Sequence, residues 1–154
     1  MPRFIWDDNK FMTSKACAHE RIVSKGVISE LRHICAKILC HTRSLEYSDD
    51  DLFAVHLAME EAVVNAVRHG NKQDPARNVV IEYDLTPEKI DLWITDQGKG
   101  FDSAHLADPR LNGNIYKTSG RGVLLIRSYM DSVEYNDTGN SVHMTKFNSK
   151  SAQA

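Results

Sequence analysis

The sequence predicts an α+β protein built as a two-layer sandwich. Three observations predict it. Two long helical periodicities occupy the first half of the chain. Two alternating apolar segments follow them around residue 85. A second alternating pair closes the chain after a short glycine-led helix. Helices early and antiparallel strand pairs late give a sheet layer under a helix layer.

The elements follow in order. Residues 1–14 read as an irregular arm, with Phe4, Ile5, Trp6 and Phe11 set among polar residues. Residues 17–23 suit a short edge strand. Val27, Ile28, Leu31, Ile34, Cys35, Ile38 and Leu39 recur at helical spacing, which predicts a helix over 25–43 with Ser24 as its N-cap. A second helix starts after Ser48, where Asp49, Asp50 and Asp51 suit the positive end of the helix dipole. Leu52, Val55, Met59, Ala62, Val63, Ala66 and Val67 form its apolar stripe, and Gly70 can close it in the left-handed conformation. Val79, Ile81, Tyr83 and Leu85, then Ile90, Leu92 and Ile94, alternate with polar residues across a Thr86-Pro87-Glu88-Lys89 connection. A long polar loop is expected over 97–119 and a short helix over 122–129. Ser132–Tyr135 and Ser141–Phe147 read as a final hairpin, and the last residues as a polar tail.

The chain has 154 residues, which suits one domain that buries about two-thirds of its unfolded surface. A net charge of −2 rules out a global positive field, so an anionic ligand must be held locally. No basic stripe points to nucleic acid. No run approaches the length of a membrane span, and the N-terminus lacks the apolar core of a signal peptide. A cytoplasmic location is expected. Cys17, Cys35 and Cys40 include no C-x-x-C pair, and Cys35 reads as a buried small apolar residue.

Three segments carry chemistry. Glu61 and Asn65 lie four apart on the second helix, so they share one face at the border of the apolar stripe. An acid and an amide there can position a nucleophile and offer oxygen to a hydrated Mg²⁺. Next, Asp96 has the parity of Ile90, Leu92 and Ile94, so it should face the helix-covered side at the strand end. A carboxylate there needs a donor, such as the exocyclic amine of adenine, and Gly98 and Gly100 allow close backbone approach. Third, the run Thr118-Ser119-Gly120-Arg121-Gly122-Val123-Leu124 opens a helix, where backbone N–H groups and the dipole can hold an anion. Each segment alone also fits a bland reading: a solvated helix face, a strand-ending turn, a loop before a helix.

Together, and in this order, the three resemble the N, G1 and G2 boxes of the GHKL ATPase superfamily. The run Glu60-Glu61-Ala62-Val63-Val64-Asn65-Ala66-Val67-Arg68-His69-Gly70 resembles the N box of anti-sigma-factor serine kinases. The stretch 120–131, followed by the hairpin ending Met144-Thr145-Lys146, also resembles that subfamily. The resemblance spans about 18–147. It implies a GHKL, or histidine-kinase-like, fold over 15–148, with a mixed, mostly antiparallel sheet covered on one face by helices. Residues 149–154 would be the tail.

The resemblance also implies ATP and Mg²⁺ as cofactors and assigns roles. Glu61 matches the general base, with Glu60 on the wrong face. Asn65 matches the Mg²⁺ ligand and Asp96 the adenine reader. Gly98 and Gly100 match the first glycine pair. Gly120 and Gly122 match the phosphate-binding turn, with Arg121 and Val123 beside them. Thr145 resembles a threonine that supports the adenine edge, although its strand parity is ambiguous. His69 either meets phosphate or lid, or is an ordinary helix-end histidine. Residues 97–119 would form a short ATP lid; the part at 104–117 carries no family signature.

The implied activity is that of a serine/threonine protein kinase acting as an anti-sigma factor. It would phosphorylate a serine of a small STAS-type anti-sigma factor antagonist and sequester a sigma factor. A homodimer through the sheet edge and N-terminal region belongs to the family pattern. The main rival is a nucleotide-dependent binding module without kinase turnover, in which Glu61 is structural. A histidine-kinase ATP domain would need a phosphoacceptor helix pair, and a clamp ATPase would need transducer domains.

Overall fold

The computed structural model describes residues 18–100 and 118–151. The arm expected at 1–14 and most of the expected lid lie outside the described residues. The elements are β1 (Ala18–Lys25), α1 (Ile28–Ser44), α2 (Asp49–Asn65), a π-helical turn (Ala66–Gly70), β2 (Asn78–Leu85), β3 (Lys89–Asp96), α3 (Thr118–Tyr129), β4 (Ser132–Tyr135) and β5 (Ser141–Phe147). The five strands form one sheet in the order β1-β2-β3-β5-β4. Every pairing among the described residues is antiparallel.

Strand alternation divides the sheet into two faces. Ile22, Ile81, Tyr83, Leu92, Ile94, Val142 and Met144 are buried with Leu31, Ile38, Val55, Met59, Val63 and Ile126 of the helices. Cys35 joins this core, as its place on the α1 stripe predicts. The other face carries polar and aromatic residues. There Trp93 stacks on His143 at 4.4 Å between ring centroids.

Several expected boundaries shift, each for a physical reason. Ser24 does not cap α1. It continues β1, opposite Val79, and Lys25 pairs with Asn78. The turn is made at Gly26, whose N–H donates to the Arg77 carbonyl at 3.0 Å. Helix α1 therefore starts at Ile28, with Val27 as an N-cap that supplies no side-chain hydrogen bond. Ser48 does cap α2: its Oγ accepts the Asp51 N–H at 3.1 Å.

Helix α2 does not end on a left-handed Gly70. It widens into the π turn, where the Asn71 N–H donates to the Ala66 carbonyl at 2.8 Å. The left-handed residues are Lys72 and Gln73, with φ of 52° and 61°. Helix α3 begins at Thr118, four residues earlier than expected, so Gly120 and Gly122 lie inside its first turns and not in a loop before it.

The C-terminal segment is pinned as far as Ser149. Asn148 is buried and its Nδ2 donates to the carbonyls of Leu45 and Pro87. The Ser149 N–H and hydroxyl both donate to Asp51 Oδ2, at 2.9 and 2.7 Å. Burial pushes the Asp51 carboxyl up, but the bonds from Ser149 and Ser48 and the Lys146 charge outweigh it and hold the group below its ordinary value. None of the described helices is long and apolar enough to cross a membrane.

Candidate nucleotide-binding site

A cleft of about 200 Å³ opens between the end of α2 and the sheet. Helix α2 and the π turn supply Ala62, Asn65, Ala66, His69 and Gly70. The end of β3 supplies Ile94 and Asp96, followed by Gly100. Helix α3 supplies Val123, and the β4–β5 hairpin supplies Tyr135, Gly139, Asn140, Ser141 and Val142. Four segments distant in sequence thus meet at one cavity.

Asp96 faces the helix layer, as the parity of β3 predicts. Burial raises its carboxyl above its ordinary value, against the opposing pull of the Gly98 N–H and the Arg77 charge. The Gly98 N–H donates to Asp96 Oδ1 at 2.7 Å. A half-buried acceptor in an apolar cleft suits a neutral N–H donor on a ligand.

Glycines set this geometry by close contact. A methyl on Gly70 would overlap the Asp96 carboxylate, and one on Gly98 would overlap the Gly70 carbonyl. Gly100 has φ of +77°, and a methyl there would overlap the Thr138 carbonyl. The two glycines after Asp96 therefore seat the loop between the π turn and the last hairpin.

Glu61 and Asn65 meet α3 directly. A Cβ added to Gly122 would come within 2.8 Å of Glu61 Oε2 and 3.1 Å of Asn65 Nδ2. The adjacent Glu60 is turned away and bound to Arg32 of α1, whose Nε donates to Oε1 at 2.7 Å. The two glutamates are thus separated by function of position: one is neutralised at α1, the other faces α3 and the cleft border.

Gly120 and Arg121 belong to the first turn of α3; the Arg121 side chain lies outside the described part. A helix start leaves its first N–H groups without partners inside the helix, and both glycines lie in the first turns of α3.

Thr145 is not brought to the cleft. Val142 and Met144 point to the helices, so alternation turns Thr145 to the opposite face. There its hydroxyl donates to Asp91 Oδ1 at 2.6 Å. Ser141, at the start of the same strand, lines the cavity instead.

Sequence reasoning also missed Gly70, Tyr135 and Asn140. Gly70 carried a signal, a glycine at a helix end, which fits a cap equally well. Asn140 sat in a turn-rich pentapeptide with nothing to tie it to Asp96. Tyr135 is an ordinary strand residue until the fold sets it over the cavity.

This architecture and cleft define an ATPase domain of the histidine-kinase type. The family model described as "Histidine kinase-like ATPase domain" matches residues 26–146, and the chain belongs to that family. Among relatives, it is 35% identical to the anti-sigma F factor of Oceanobacillus iheyensis, over 70% of this chain and 77% of the relative. It is 33% identical to the serine-protein kinase RsbW of Staphylococcus epidermidis, over 65% of this chain and 68% of the relative. The fold also matches a solved structure of the RsbU and RsbW domains of a Mycobacterium tuberculosis protein, with a TM-score of 0.58 and 15% identity. That match covers 85% of this chain and 31% of the larger one.

Proposed function

We propose that this chain is a serine kinase and anti-sigma factor. It binds ATP with Mg²⁺ in the cleft, transfers the terminal phosphoryl group to a serine of a small antagonist protein, and sequesters a sigma factor. The names of the relatives support the two activities. The observation that carries the reading is the contact of Gly122 with both Glu61 and Asn65, beside a cleft that also holds Asp96.

In this reading each residue has a chemical task. Asp96 accepts the exocyclic amine of adenine. Gly70, Ala66 and Val142 give the base a close, apolar seat. The first-turn N–H groups of α3 receive phosphate oxygens. Asn65 offers one amide oxygen to Mg²⁺, which suits an ion that keeps phosphate and water as its other ligands. The ion would offset phosphate charge. Glu61 accepts the serine hydroxyl proton as the new oxygen–phosphorus bond forms and the bond to ADP breaks. Positioning and charge balance supply most of the rate in such chemistry.

The sigma factor and the antagonist, of STAS type, are protein partners in the cytoplasm. A homodimer through the sheet edge and N-terminal region belongs to the same reading, and light scattering of the purified chain checks it.

The test is transfer of radiolabel from ATP to a candidate antagonist. Labelling by the wild type and its loss in Glu61→Ala is the expected result. Equal labelling by both would refute Glu61 as the base. Tight ATP binding without transfer to any antagonist would favour the binding module without turnover.

A further inference from the structure

Two asparagines grip the main chain on either side of the Asp96 carboxylate. Asn71 is 1% exposed and all its polar groups are engaged. Its Oδ1 accepts the Gln97 N–H at 2.8 Å and its Nδ2 donates to the Asn78 carbonyl at 3.0 Å. Its own N–H closes the π turn on Ala66. Gln97 adds a second strut, since its Oε1 accepts the Asn78 N–H at 2.7 Å. On the other side, the Asn140 carbonyl accepts the Asp96 N–H at 2.9 Å, and its Nδ2 donates to the Asp96 carbonyl at 3.1 Å. Asn140 Oδ1 is itself held by Asn136 Nδ2 and Thr138 Oγ1, at 2.6 and 2.7 Å.

We propose that Asn71 and Asn140 are the positioning residues that aim Asp96 and so set a preference for a purine carrying a 6-amino group. This rests on the adenine-reading role proposed for Asp96. Asp96 ends its strand, and beyond it the ladder no longer fixes the backbone. Without the two asparagines the chain after Asp96 would turn, carrying with it the Gly98 N–H that holds Asp96 Oδ1 at 2.7 Å, and the carboxylate would lose its aim. A hydrogen bond to a base amine weakens steeply with such misalignment. Each asparagine side chain meets main chain beside Asp96, so its loss should cost a ligand with a 6-amino group more than one that gives Asp96 nothing to bind. A buried asparagine of general structural importance would affect all nucleotides alike.

Calorimetry on the full chain with Mg²⁺ compares ATP with purine riboside triphosphate, which differs only by lacking the 6-amino group. The wild type should prefer ATP. Asn71→Ala should lose about tenfold in ATP affinity, the worth of one well-aligned hydrogen bond, and bind the analogue unchanged. Asn140→Ala, at a half-buried site that lines the cleft, should lose more affinity for ATP than for the analogue, and serves should Asn71→Ala fail to fold. An equal loss for both ligands, or no loss for ATP, would overturn the proposal. A wild type that binds both ligands alike would instead remove the base-reading role of Asp96, and the proposal with it.

Discussion

The carboxylate of Asp96 lies directly on the Cα of Gly70, a contact that leaves no room for any side chain. One residue ends a strand and the other ends the π turn after α2. Their contact joins the sheet to the helix layer at the floor of the cleft.

Gly70→Ala tests that contact. The added methyl must push the carboxylate aside, at a cost of about 1–3 kcal/mol typical of overpacking. ATP affinity should fall about tenfold or more, measured by calorimetry, while a thermal melt still shows a cooperative transition. Unchanged affinity would mean the carboxylate moves freely and does not read the base.

Asp96→Asn keeps the shape and changes the chemistry. The amide cannot accept at both positions, and its NH₂ would oppose the Gly98 N–H or the ligand amine. A loss of a few kcal/mol in ATP binding is expected. Unchanged affinity would show that adenine sits elsewhere.

Gly122→Ala separates transfer from binding. Its methyl meets the flexible end of Glu61 at 2.8 Å, so the carboxylate shifts while the backbone stays. Phosphoryl transfer should fall at least about tenfold, because misplaced general bases lose most of their effect. ATP affinity should also fall, since the methyl comes within 3.1 Å of Asn65 Nδ2, but by a smaller factor than transfer. Equal falls in both would assign Gly122 to nucleotide binding alone.

Acid stability should depend on Asp51. Its carboxyl is held below its ordinary value of 3.8, so it takes up protons less readily folded than unfolded. The stabilisation is full above the unfolded value and is lost as pH falls through the lower folded one. Asp51→Asn should therefore lower the melting temperature at neutral pH, with the gap to wild type closing below about pH 3.8. A gap independent of pH would place the effect in packing.

Asn148→Ala should destabilise the fold by about 1–3 kcal/mol, since two part-buried carbonyls lose their donor. Urea unfolding monitors it. No change would mean those carbonyls find water.

The sequence by itself determined the layers, the strand pairs and the parity of Asp96, because period 2 and period 3.6 are local properties of a chain. It also determined that Glu61 and Asn65 share a helix face, since four residues make about one turn. Ordered as three boxes, these motifs were enough to suggest the ATPase family. Only the tertiary structure decided which glycines matter and why. Gly70 and Gly122 are required by atoms far away in sequence, namely the carboxylates of Asp96 and Glu61. Ser24 looked like a cap until its pairing with Val79 kept it in β1. Thr145 fitted the family pattern until the register of β5 turned it to the other face. The asparagine grip on Asp96 was illegible for the same reason: Asn71 and Asn140 reach it through contacts that exist only once helix, strand and hairpin meet.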